Sequence, residues 1–214
     1  MRDEQAIETE ATELLRTLIR NRCVNDGTAA SGQETRSVSA LEAYFNGAGV
    51  ACERYTSQPG RESLIARIEG SDPKAPRLLL MGHTDVVPVS PEGWQRDPFG
   101  GELVDGVVWG RGAIDMLNLT TTMAVATRRL ARDGFRPRGT LIYLAVADEE
   151  AGVKTSSSTP GMGIRSIMIT TTTPTATRTS LRWVQRFPTT ARASAMTGLP
   201  QRVQDAHTTA SAPP

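Results

Sequence analysis

Aromatic residues make up only 5% of this 214-residue chain, and cysteine and histidine occur twice each. Each scarcity excludes something. Cys23 and Cys52 stand in no CxxC arrangement, which speaks against a cysteine metal site, a redox motif or a disulfide framework and fits reduced thiols in a cytoplasmic protein. No apolar run approaches the roughly 18 residues that a membrane helix needs. The opening "MRDEQAIETEATELLRTLIRNR" also lacks an apolar signal-peptide core, so no membrane partner is expected. A formal net charge of +1 gives no purchase for nucleic acid. G-x-S-x-G, P-loop and G-x-G-x-x-G patterns are absent, which argues against serine-hydrolase and nucleotide-binding functions. The 38% hydrophobic content still supports a core, and the length allows one domain, or one and part of another.

The near-neutral total hides an asymmetry. Residues 1–152 hold 17 basic and 22 acidic side chains, whereas 153–214 hold seven basic and a single acidic one, Asp205. Those last 62 positions contain 14 threonines and seven serines, include the run "TTTTPTATRT", and show no hydrophobic period longer than "SIMI". The sequence therefore divides into a folded region, 1–152, and a Ser/Thr-rich tail, 153–214, whose composition predicts disorder.

Within the first region, Ala6, Ile7, Ala11, Leu14, Leu15, Leu18 and Ile19 recur at helical spacing and predict an amphipathic helix over 5–21. "NDGTAASGQE" (25–34) reads as a turn-rich loop, and a second helix is expected at 36–46, ended by Gly47 and Gly49. Strands are expected at 50–55, 63–69, 76–82 and 139–150. "GELVDGVVWG" (101–110) reads as a hairpin turning at Asp105-Gly106, a pair suited to positive φ. Helical spacing returns over 117–134, with Gly134 past its end. Strands alternating with helices predict an α/β fold, an open sheet sandwiched by helices.

Three apolar segments end in acid. Leu78–Met81 leads to His83 and Asp85, "VVWGRGAID" ends at Asp115, and the strand over 140–147 runs into Asp148-Glu149-Glu150. In open α/β sheets ligands collect beyond the carboxyl ends of strands, so these groups are expected to converge. One imidazole among several carboxylates suits a divalent metal of borderline character, zinc foremost. Asp148 reads as a cap or a support behind the ligands.

"MGHTDVVPV", then "W..DPFGGELVDGVVWGRGAIDM", then "ADEEAG" resemble, in order and spacing, the M20 family of metallohydrolases, over about residues 5–152. That family includes aminoacylases, acetylornithine deacetylase, succinyl-diaminopimelate desuccinylase, zinc carboxypeptidases and dipeptidases. The resemblance implies a metal-dependent hydrolase of amide or peptide bonds, acting on N-acyl amino acids or small peptides, with two zinc ions, or Co²⁺ in their place, in the complete site. It assigns His83 as the imidazole ligand of one ion and Asp85 as the carboxylate that steadies that ring through its other nitrogen, which would fix the tautomer and raise ligand basicity. It assigns Asp115 as the carboxylate bridging both ions, Glu150 as a ligand of the second and Glu149 as the general base. The adjacency is chemically reasonable, because two neighbouring carboxylates both stay ionised comfortably only beside a cation.

Two departures stand out. Asp115 is followed by Met116-Leu117-Asn118 where the family often has Met-Lys-Gly, which touches loop shape and not the ligands. After Glu150 the family continues with another ligand carboxylate, an inserted dimerisation domain and a late histidine, none of which 153–214 matches; Asp205 and His207, in "VQDAHTTAS", lack the family context. "KTSSSTPGMG" (154–163) has one codon choice whose shifted frame reads Asp-Phe-Val-Glu-His-Thr-Trp-Asp-Gly, a helix-like segment, so a frame change near Gly152 is expected. The competing expectation for function is then an inactive, truncated form of such an enzyme with at most a partial metal site. A small protein that binds partners through its Thr-rich tail is the third.

Overall fold

The amphipathic period of the first helix determines how the layers assemble. The computed structural model describes residues 2–151. The expected disordered tail, the frame change, Asp205, His207 and any dimerisation region lie outside the described residues. Helix α1 spans Arg2–Arg20 and α2 Thr35–Phe45, followed by β1 (Ala51–Gln58), β2 (Arg61–Ile68) and β3 (Leu78–His83). The hairpin β4 (Glu102–Val104) and β5 (Val107–Trp109), helix α3 (Leu117–Arg132) and strand β6 (Leu141–Val146) complete the order. Each element foreseen from the periodicity is present, with its ends shifted by a few residues, where helix fraying and strand pairing outweigh local propensity.

The main sheet is open and mixed, in the order β1-β2-β6-β3. β1 and β6 pair antiparallel to β2, whereas β3 runs parallel to β6. Residues 84–140 supply the long crossover that a parallel pair requires, with α3 inside it. The helices gather on the face bearing Leu64, Ala66, Tyr143 and Ala145, which share a buried cluster with Leu14, Leu18, Val38, Leu41, Phe45, Leu117 and Val125. Tyr143 meets Phe45 edge-on at 5.4 Å between ring centroids, and its hydroxyl donates to the Thr120 carbonyl at 3.2 Å. Central strand β6 is buried along its whole length, which explains its unbroken apolar run. β3 is an edge strand among the described residues and leaves Leu78 and Leu79 exposed, an apolar edge of the kind that invites association.

Glu10 ties the three helices together. Its carboxylate accepts from Tyr44 Oη on α2 at 2.7 Å, and from Arg128 Nη1 and Arg129 Nε on α3 at 2.7 and 3.0 Å. The hairpin turns at Asp105-Gly106 as expected, with φ of 51° and 78°, the left-handed pair of a type I′ turn.

Candidate metal centre

The parallel register of β3 with β6 is what assembles the site. His83 pairs with Val146, and Thr84 N–H donates to the Val146 carbonyl at 2.9 Å, so both strands end at the same level. The residues that follow each strand, Asp85 on one side and Asp148 to Glu150 on the other, therefore face one another. Val86 extends the first path by donating to the Cys23 carbonyl at 2.9 Å.

Asp115 arrives differently from the expectation. It is not a strand end: β5 stops at Trp109 in a separate two-stranded sheet, and Asp115 lies in the turns leading to α3. Gly112, at φ 85°, takes within these turns a backbone conformation that favours glycine. The carboxylate nevertheless reaches the same spot. His83 Nε2 stands 3.6 Å from Asp115 Oδ1 and 3.7 Å from Glu149 Oε2. One donor atom each from His83, Asp115 and Glu150 lies within 4.8 Å of the others.

Asp85 steadies His83, through a different atom from the one expected. Nδ1 lies 3.0 Å from the Asp85 backbone oxygen and 3.6 Å from carboxylate Oδ1. A carbonyl only accepts, so a proton on Nδ1 points to it, and Nε2 is the ring nitrogen turned toward Asp115 and Glu149. Nε2 is therefore the nitrogen that a metal in this position would use. The Asp85 carboxylate is fully buried, with Oδ2 accepting from the Glu150 backbone N–H at 2.9 Å and Oδ1 left without a hydrogen bond. Burial, above all, pushes the Glu150 carboxyl above its usual range; His83 opposes this, while Asp115, Asp85 and Glu149 add to it. Carboxylates crowded on one imidazole, with an orphaned anionic oxygen behind, fit a divalent cation bound by nitrogen and oxygen.

Asp148, expected as a cap or support, is partly exposed, and its Oδ1 accepts from Asn25 Nδ2 at 2.9 Å. Asn25 itself, with Arg61 and Glu34, escaped the sequence reading. "NDGTAASGQE" carried only a turn signal, and nothing local marks the Arg61 that opens β2 as buried.

Residues 79–179 match the family model described as Peptidase family M20/M25/M40, a match that runs past residue 152, where the motif resemblance ends. A succinyl-diaminopimelate desuccinylase of Bradyrhizobium diazoefficiens is 38% identical over 152 residues, covering 66% of this chain and 37% of that protein. Aminoacylase-1 of Sus scrofa is 37% identical over 117 residues, covering 54% of this chain and 29% of that one. Among solved structures, an M20 family metallo-carboxypeptidase from Sulfolobus solfataricus shares the fold at a TM-score of 0.56, with 22% identity, over 67% of this chain and 32% of that one. The chain thus spans little more than a third of the length of the curated relatives it matches.

Proposed function

Since the matched part of this chain belongs to the M20 family of metallohydrolases, we propose that it forms the metal-holding part of an amide-bond hydrolase site. The convergence of His83, Asp115 and Glu150 within 4.8 Å carries this reading. His83, Glu150 and Asp115, whose side chain is 69% exposed, would hold the metal. Zinc suits this donor set best, with Co²⁺ as its usual substitute. A divalent cation held there would polarise an amide carbonyl and acidify a water molecule.

The protein's own part lies in proton handling and orientation. Glu149, half exposed beside the imidazole, is the base that takes a proton from the attacking water and passes it to the leaving nitrogen. Asp85 keeps the His83 ring turned so that Nε2 faces the metal position. By analogy with the desuccinylase and aminoacylase it resembles, the substrate is an N-acyl amino acid or a small peptide. No described helix is long and apolar enough to cross a membrane, and free Cys23 and Cys52 suit a reducing, cytoplasmic setting.

A second reading has its own support. The chain covers only 37% of that desuccinylase, so the ligands that complete a two-metal site need not be present, which favours an inactive fragment with a partial site. One experiment separates the two. The 214-residue chain is titrated with zinc and with cobalt, then assayed on N-acyl amino acids and dipeptides. Metal binding without turnover supports the partial site, and metal-dependent hydrolysis abolished by Glu149→Gln supports the enzyme. A chain that binds neither metal refutes both.

A further inference from the structure

Behind the metal position lies a buried polar cluster that the proposed chemistry does not use. Arg61 is 2% exposed and Glu34 fully buried, and Arg61 Nη1 donates to Glu34 Oε1 at 2.7 Å. Arg61 Nη2 donates to Asn25 Oδ1, the Thr28 carbonyl and Ser31 Oγ at 3.1, 3.0 and 3.1 Å. A guanidinium has donors only, so Asn25 must turn its carbonyl oxygen toward Arg61. The Gly27 N–H donates to that same oxygen at 3.1 Å.

This settles which way the amide faces. Both Nδ2 protons then point away from Arg61, to Asp85 Oδ2 at 2.8 Å and Asp148 Oδ1 at 2.9 Å. Asp85 Oδ2 is the atom that also receives the Glu150 N–H. Three distant segments meet at one side chain: the loop after α1, the end of β3, and the loop after β6. Asp85 and Asp148 would repel one another here without the amide hydrogens between them and the Arg61 guanidinium, whose Nη1 is 3.7 Å from Asp148 Oδ1. Asp148 holds φ at 66°, a conformation that a non-glycine residue keeps only where its surroundings demand it. The turn at Asp148 carries Glu149 and Glu150 toward His83.

We propose that Asn25, oriented by Arg61, is a positioning residue that clamps Asp85 to Asp148 and so sets the spacing between His83 and the Glu149-Glu150 pair. Its functional meaning rests on the metal-centre reading, whereas the clamp itself needs no ion. Asn25→Asp is the sharpest probe, because it keeps the shape and replaces the donating NH₂ with an oxygen facing two carboxylates. Asn25→Ala removes the bridge.

The full chain and its variants are compared in two ways. Without metal, amide hydrogen exchange should show the Glu150 N–H losing about 10-fold or more of its protection in both variants, while the β2–β6 ladder keeps its own. With Co²⁺, visible absorption should show affinity falling by about 10–100-fold, with altered bands. A merely structural Asn25 would lower the unfolding midpoint and leave the Co²⁺ affinity and spectrum of the folded protein unchanged, which overturns the proposal. So does Glu150 protection equal to that of the parent. A parent that binds no Co²⁺ refutes the metal centre, and the exchange measurement still decides the clamp. Should both variants fail to fold, Ser31→Ala serves instead: it removes contacts to Arg61 and to Asn25 Oδ1 (3.4 Å) without stranding a charge. A smaller change of the same sign supports the clamp, and none overturns it.

Discussion

Replacing Gly82 with alanine places one methyl group where β3 meets α3, immediately before His83. A Cβ there would stand 2.4 Å from Thr120 Oγ1, 3.1 Å from Met123 Cε and 3.3 Å from Thr120 Cα. Met123 can swing its flexible end away, but Thr120 cannot. Its hydroxyl donates to the His83 carbonyl at 2.8 Å, and its carbonyl accepts the Tyr143 hydroxyl at 3.2 Å, both in buried surroundings. Non-bonded heavy atoms settle at about 3.5–4.0 Å, so either α3 retreats by roughly an ångström or the bond to His83 breaks. Overpacking of this kind costs about 1–3 kcal/mol. Loss of glycine freedom in the unfolded chain returns about 0.5 kcal/mol, which leaves a net destabilisation of about 0.5–2.5 kcal/mol. At roughly 2–4 °C per kcal/mol for a protein of this size, the thermal midpoint should fall by about 1–10 °C. The assay is unfolding followed by circular dichroism for the parent, Gly82→Ala, Thr120→Ala and the double variant. Thr120→Ala alone should cost about 1 kcal/mol for its buried hydrogen bond. The double variant should cost less than the sum by about 0.5 kcal/mol or more, since the clashing oxygen is gone. An unmoved midpoint in Gly82→Ala, or strict additivity, would show that β3 and α3 are not in the contact described.

Zinc or cobalt at about 100 times its dissociation constant should stabilise the folded chain by about 2.7 kcal/mol, a rise of roughly 5–11 °C in thermal midpoint. A chelator should reverse it and His83→Ala or Asp115→Ala abolish it; an equal rise in those variants would show the ion bound elsewhere. In a longer chain with the complete site, Glu149→Gln should retain metal while kcat drops by about 10²-fold or more, and undiminished turnover would remove Glu149 as the base. Burial acts to raise the Glu10 carboxyl, but the donors Tyr44, Arg129 and Arg128 together outweigh it and hold it below 4.5. Its stabilisation is therefore present above pH 4.5 and lost as pH falls through the lower folded-state value. Urea midpoints should show Glu10→Gln less stable than the parent at pH 7, with the gap closing toward acid; parallel pH profiles would contradict this.

Whatever depends on neighbours along the chain was legible in the sequence. The stripe of Leu14, Leu18 and Ile19 predicts α1, the Asp105-Gly106 pair predicts the hairpin turn, and the apolar run before His83 predicts β3, because periodicity and turn chemistry are local. The motifs also singled out His83, Asp115 and Glu150, and the structure brings one donor atom of each within 4.8 Å of the others. Tertiary structure alone decided how they meet. The register of His83 with Val146 depends on pairing strands 58 or more positions apart, and no local pattern specifies it. Asp115 reaches the site from a turn and not from a strand, and His83 Nδ1 lies nearer the Asp85 backbone oxygen than the Asp85 carboxylate. Arg61, Glu34 and Asn25 carry residue types that are ordinarily exposed, so their burial behind the site follows only once three distant segments have packed and each charge has found its partner.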